Sequence, residues 1–151
     1  MNIPRHYMIV SGRGCSTYPL VAFDNALIDA GIGDYNLVKV SSILPIGCQY
    51  ENCINIEKGS IVYAAYASAT VIYKQERTVS VAVAVPINDA ESGVIFEATS
   101  NNSSVKNDVY DMCTEAMAKR NKIIREIKSG SISVIGEKDK FVCGISAVIM
   151  W

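Results

Sequence analysis

Two periods of apolar residues run along this chain, and the switches between them mark its elements. Behind Pro19, the residues Leu20, Phe23, Leu27 and Ala30 recur at three- and four-residue steps, which predicts an amphipathic helix over 19–30 that Gly31 and Gly33 end. A second helical run carries Val105, Val109, Met112, Ala116, Met117, Ile123 and Ile127, with Ser103 or Ser104 as its cap. Segments 7–11, 35–40, 61–73, 78–86, 93–98, 131–135 and 141–151 are rich in β-branched and aromatic residues and read as strands. Within 78–86 large and small residues alternate, which suits a strand packed on both faces. Segment 11–18, with two glycines, reads as a loop, and 47–59 as a polar connection. Two helices and about seven largely consecutive strands imply antiparallel pairing and an α+β layered architecture in one domain over 1–151, without repeat or linker.

Composition narrows the function classes. The 151 residues are 50% hydrophobic and 19% charged, with a formal net charge of −1. Such a chain buries enough surface to fold without a metal or disulfide staple, and it lacks the basic footprint of a general nucleic-acid binder. No apolar run reaches the roughly 18 residues of a spanning helix, and the first residues do not form a signal peptide. No membrane association and a cytoplasmic location are the expectations. Cys15, Cys48, Cys53, Cys113 and Cys143 are odd in number and show no CxxC spacing, so reduced, mostly buried thiols are expected and no metal site. His6 is the sole histidine, and phosphate-loop, dinucleotide, zinc-protease and nucleophile-elbow motifs are absent.

Residues 19–45 read PLVAFDNALIDAGIGDYNLVKVSSILP. Their AFDxAL helix, AGIGxxNL turn and VSSILP junction resemble the pyruvoyl-dependent arginine decarboxylases, as do, more weakly, GVIFEATS at 93–100 and the terminal FVCGISAVIMW. Lys39 stands where that family leads one to expect Arg, and 47–59 is richer in Cys and Asn than its proline-rich connection. The resemblance implies a four-layer αββα sandwich of mainly antiparallel strands, and a trimer of αβ units or a dimer of trimers with active sites between protomers. It implies autocatalytic cleavage into 1–41 (β chain) and 42–151 (α chain), and a covalent pyruvoyl group made from Ser42, without metal or pyridoxal phosphate. The substrate it implies is L-arginine, converted to agmatine and CO2.

The chemistry of the serine pair agrees with this. A Ser42 hydroxyl held at a strained turn can attack the carbonyl of Ser41, turning the amide into an ester. β-Elimination then releases the chain ending at Ser41, and hydrolysis leaves a keto acyl cap at position 42. Such a cap withdraws electrons from a bound amino acid as pyridoxal phosphate does elsewhere. The resemblance assigns the proton donor to Glu97, whose neighbours Val94, Ile95, Phe96 and Ala98 would raise a carboxyl pKa by desolvation. It places a guanidinium partner at Asp24, a polarising amide at Asn36, backbone near the substrate at Gly33 and Tyr35, and apolar walls at Leu27 and Ile43. Two other readings stand beside it: the same chemistry on another amino acid, which Asp24 discriminates, and a non-catalytic oligomeric member of the fold. Taken without the resemblance, Asp24 reads as a solvated helix residue, Glu97 as an outward strand residue, and the second pair Ser103-Ser104 as a helix cap.

Overall fold

A computed structural model describes residues 3–151. Nine strands, β1 (His6–Ser16), β2 (Asn36–Lys39), β3 (Ile43–Leu44), β4 (Gln49–Tyr50), β5 (Ile61–Val71), β6 (Glu76–Pro86), β7 (Gly93–Ser100), β8 (Ile124–Ile135) and β9 (Phe141–Met150), join two helices, α1 (Pro19–Asp29) and α2 (Val105–Lys119). One sheet has the order β2-β5-β9-β1-β4 and the other β3-β7-β6-β8. The long neighbours pair antiparallel, while β2 on β5 and β4 on β1 are parallel edge pairs.

Strand alternation builds the layers. On β9, Cys143, Ile145, Ala147 and Ile149 turn outward to Ala22, Ala26 and Leu27 of α1. Val148 and Met150 turn inward, where they meet Val81, Val83, Val85 and Ile95 of the second sheet and form the core between the sheets. The opposite face of β6 offers the small Ala82 and Ala84, and there Val109, Cys113 and Met117 of α2 pack. The order helix, sheet, sheet, helix is the four-layer α+β sandwich, and the large and small residues of 78–86 face the sheet and the helix respectively.

Several local expectations need correction. Segment 11–18 is strand through Ser16, because Gly12 and Gly14 serve packing and not a turn: a Cβ on Gly14 would lie 2.3 Å from the Ala26 amide nitrogen. Close approach of helix and strand also explains which face of α1 is buried. The small Ala22 and Ala26 point in, and Leu20, expected inside, is 78% exposed. The second helix stops at Lys119. Asn121 takes a left-handed φ of 54°, the Asn121 and Lys122 amides donate to the carbonyls of Ala118 and Met117, and Ile123 and Ile127 fall outside the helix, Ile127 in β8. Neither Ser103 nor Ser104 caps α2 through its hydroxyl. Asn102 Oδ1 accepts from the Ser104 amide instead, at 2.9 Å. The polar connection 47–59 contains the short strand β4.

Two of the five cysteines, Cys113 and Cys143, are buried, Cys15 and Cys48 are half-buried, and Cys53 is exposed; all five are free thiols. His6 binds Glu51 Oε1 through Nδ1 at 3.1 Å and stacks on Trp151, tying the first strand to the last residue. No helix among the described residues is long and apolar enough to cross a membrane.

Candidate active site at the sheet crossover

The serine pair lies where the chain leaves one sheet for the other. Upstream, β2 ends at Lys39, and the Val40 amide donates to the Ala64 carbonyl on β5 at 3.0 Å. Downstream, β3 begins at Ile43, and the Ser42 carbonyl accepts from the Ile95 amide of β7 at 2.8 Å. The Ser41–Ser42 peptide bond is therefore strung between backbone clamps on different sheets, with Ser41 exposed and Ser42 half-buried. An apolar hollow of about 250 Å³ opens beside it, walled by Ile3, Pro4, Val40, Ile43, Pro45, Tyr63 and Met150. A larger groove of about 690 Å³ lies under α2 on the far face of the second sheet, between Phe96, Met112 and Ala116, away from the serines.

Glu97 belongs to this neighbourhood. It follows Ile95 by two residues on β7, so its side chain leaves the strand on the face that looks toward the first sheet. It stands opposite the buried Val81. Burial pushes its carboxyl above the ordinary value near 4.5, while the Lys39 ammonium and its own backbone amide pull the other way. Lys39 comes from the last position of β2, and its Nζ lies 4.5 Å from the centre of the Tyr66 ring. Desolvation wins, and the outward-facing reading of Glu97 does not hold. Nothing in the sequence around position 97 identifies Lys39 as its electrostatic neighbour; the influence arises because the fold brings the end of β2, an edge strand of one sheet, within electrostatic reach of β7 in the other.

The other expected site residues gather elsewhere. Asp24 is exposed on α1, flanked one turn either way by the exposed Leu20 and Ile28. Leu27 is buried beneath the helix, and Tyr35 is half-buried against the same core. Gly31 and Ile32 close α1 by donating to Ile28 and Leu27, with Gly31 at φ 78°, and Gly33 then passes so near Ile28 that a Cβ would lie 2.6 Å from its side chain. Asn36 opens β2 and donates from Nδ2 to the Gly59 carbonyl at 2.8 Å. Four residues of extended chain, roughly 13 Å, separate it from Val40, before the crossover begins. Within one protomer, Ser41, Ser42 and Ile43 form the crossover, Glu97 follows by two residues the Ile95 that holds it, Lys39 precedes Ser41 by two, and Asn36 remains at the other end of its strand.

The residues at the crossover fit a group built from Ser42. The carbonyl on its carboxyl side is already held by the Ile95 amide, apolar walls flank it, and the Glu97 carboxyl, its pKa raised by burial, lies two residues further along the same strand. Among the described residues no three His, Cys, Asp or Glu side chains cluster as metal ligands would.

A two-sheet sandwich carrying a serine pair at its crossover and a half-buried carboxyl beside it defines a class of protein. Residues 6–151 match the family model for pyruvoyl-dependent arginine decarboxylase, and the chain belongs to that family. It is 34% identical to the pyruvoyl-dependent arginine decarboxylase of Methanopyrus kandleri, with 100% of this chain and 99% of the relative aligned. Identity is 33% to that of Methanococcus aeolicus over 98% of this chain and 90% of the relative, and 42% to that of Methanothermobacter thermautotrophicus over 73% and 69%.

Proposed function

We propose that this chain cuts itself between Ser41 and Ser42 and that the product decarboxylates L-arginine to agmatine and CO2. The observation that carries the reading is the tethered serine bond: the carbonyl after it and the amide before it are fixed by β7 and β5, in a member of a family whose name specifies a pyruvoyl group. The Ser42 hydroxyl need move only locally to reach the Ser41 carbonyl. Once formed, the pyruvoyl group supplies the electron sink that decarboxylation needs. Glu97 delivers the proton that replaces the lost carboxylate, and its raised pKa keeps that proton available. Asp24 pairs with the guanidinium through parallel charge-assisted hydrogen bonds, and the Asn36 amide polarises a carbonyl at the reacting centre.

The separation of Asn36 from the crossover supports a division of this site between protomers. The end carrying Asn36, with Asp24, Leu27, Gly33 and Tyr35 contributed by α1 and its following turn, serves the crossover of a neighbouring copy in a trimer of αβ units. Leu20 and Ile28, exposed around Asp24, are the apolar residues such a contact would cover.

Intact mass of freshly purified protein tests the reading: two fragments split after Ser41, the larger with a keto acyl cap, are expected. Ser42→Ala should remain one chain and release no CO2 from arginine. A wild-type chain that stays whole and still decarboxylates arginine would refute the mechanism.

A further inference from the structure

The Ser42 carbonyl has a partner that the sequence could not name, the backbone N–H of Ile95 at 2.8 Å. What this bond does follows from the chemistry of self-processing, and the inference rests on that reading. Attack by the Ser42 hydroxyl breaks the Ser41–Ser42 C–N bond and forms an ester on the Ser42 side-chain oxygen, freeing the amine. Removal of the Ser42 Cα proton to solvent water then turns the C–H electron pair into a Cα–Cβ double bond. The Cβ–O pair leaves with the Ser41 carboxylate. Water later replaces the nitrogen, released as ammonia, and a ketone remains. As the Cα proton departs, its electron pair spreads into the adjacent Ser42 carbonyl, whose oxygen gains negative charge.

We infer that the Ile95 backbone N–H is the donor that stabilises this charge and so promotes the elimination step of self-cleavage. Its position is rigid. Ile95 is fully buried, and β7 pairs with β6 from Thr78↔Ser100 to Ala84↔Val94. Gly93 lies so close to β6 that a Cβ there would sit 2.3 Å from the Ala84 carbonyl oxygen. A donor fixed before the reaction needs no reorganisation when charge appears, the condition under which such hydrogen bonds accelerate most. The two-residue strand β3 then has a chemical purpose, because its pairs Ile43↔Val94 and Leu44↔Gly93 bring the Ser42 carbonyl onto this donor.

The test replaces the Val94–Ile95 amide by an ester, using an α-hydroxy acid with the Ile side chain, and follows processing by mass. Acyl shift should persist while elimination slows about 100-fold or more. The Ser41–Ser42 ester should accumulate, and hydroxylamine, which cuts both it and the introduced backbone ester, should give a 42–94 fragment that begins with ordinary serine. A control ester between Ile95 and Phe96 removes the Phe96 amide, which alternation turns toward β6, and should leave elimination fast. Unchanged elimination in the Ile95 ester, or equal slowing in both, would overturn the inference. In the Ser42→Ala chain the Ile95 amide should resist hydrogen exchange, and exchange at the rate of an open amide would overturn it even if the ester chain does not fold. A wild-type chain that never forms the two fragments contradicts self-processing itself, a separate outcome.

Discussion

Glu97 and Lys39 sit on strands of different sheets, and their opposition sets the acid chemistry available at the crossover. Burial raises the carboxyl pKa and the ammonium restrains the rise. In the proposed role of proton donor Glu97 works in its protonated form, so activity should fall as pH climbs through the raised value. Lys39→Met removes the restraint, and the alkaline limb of the pH–rate profile should move upward; a downward move or none would mean that Lys39 does not act on Glu97. Stability carries the same sign. The native carboxyl holds its proton above the pH where the unfolded one releases it, so stability from this group is present below about the ordinary 4.5 and declines as pH rises through the raised value. Glu97→Gln should therefore lose turnover while gaining thermal stability relative to wild type toward neutral pH. Asp24 is tested by substrate choice: Asp24→Asn should cost arginine about 10- to 100-fold in kcat/KM, the scale of a charge-assisted pair of about 1.5–3 kcal/mol, and cost a neutral amino acid far less.

The packing of α1 on β1 shows where sequence reading succeeds and where it stops. Helix start and end are legible because Pro19 and Gly31 act locally, through a fixed φ and a left-handed turn. The buried face is not, since Leu20 and Ala22 exchange places for a tertiary reason, the glycines of another element. Gly14→Ala should cost about 1–3 kcal/mol by denaturant titration, because the added Cβ would overlap the helix backbone at Ala26 and Ala22. An unchanged midpoint would mean that helix and strand lie further apart. The same limit applies at the site. Ser41, Ser42 and Glu97 are legible as residue types in motifs. The influence of Lys39 on Glu97, across two sheets, and the Ile95 amide on Ser42, through the β3–β7 pairing, join segments distant in sequence, which periodicity does not encode. The tail of the second helical run fails differently: Ile123 and Ile127 continue the apolar spacing, but a left-handed Asn121 ends the helix first.

Cutting the chain at the crossover divides the sandwich unevenly. Residues 1–41 contain β1, α1 and β2, and residues 42–151 the rest. β1 lies between β9 and β4 and pairs with β9 over ten positions from Tyr7↔Met150 to Ser16↔Phe141. β2 closes the far edge on β5. The small fragment therefore supplies an interior strand and one whole outer layer, and the large fragment alone would expose the apolar face of β9 that α1 covers. Mature protein should stay assembled through purification and separate only in denaturant. Refolding then distinguishes the two forms. The Ser42→Ala chain regains β1 against β9 in a unimolecular step, because one backbone links them. The cleaved protein must first bring two chains together, so dilution should slow recovery of its sandwich, read by tryptophan fluorescence of Trp151 against β1, and leave the uncut chain's rate unchanged. Recovery of the cut protein at a concentration-independent rate would show that the fragments never part, and that strand pairing across β1 and β9 outlasts the rest of the fold.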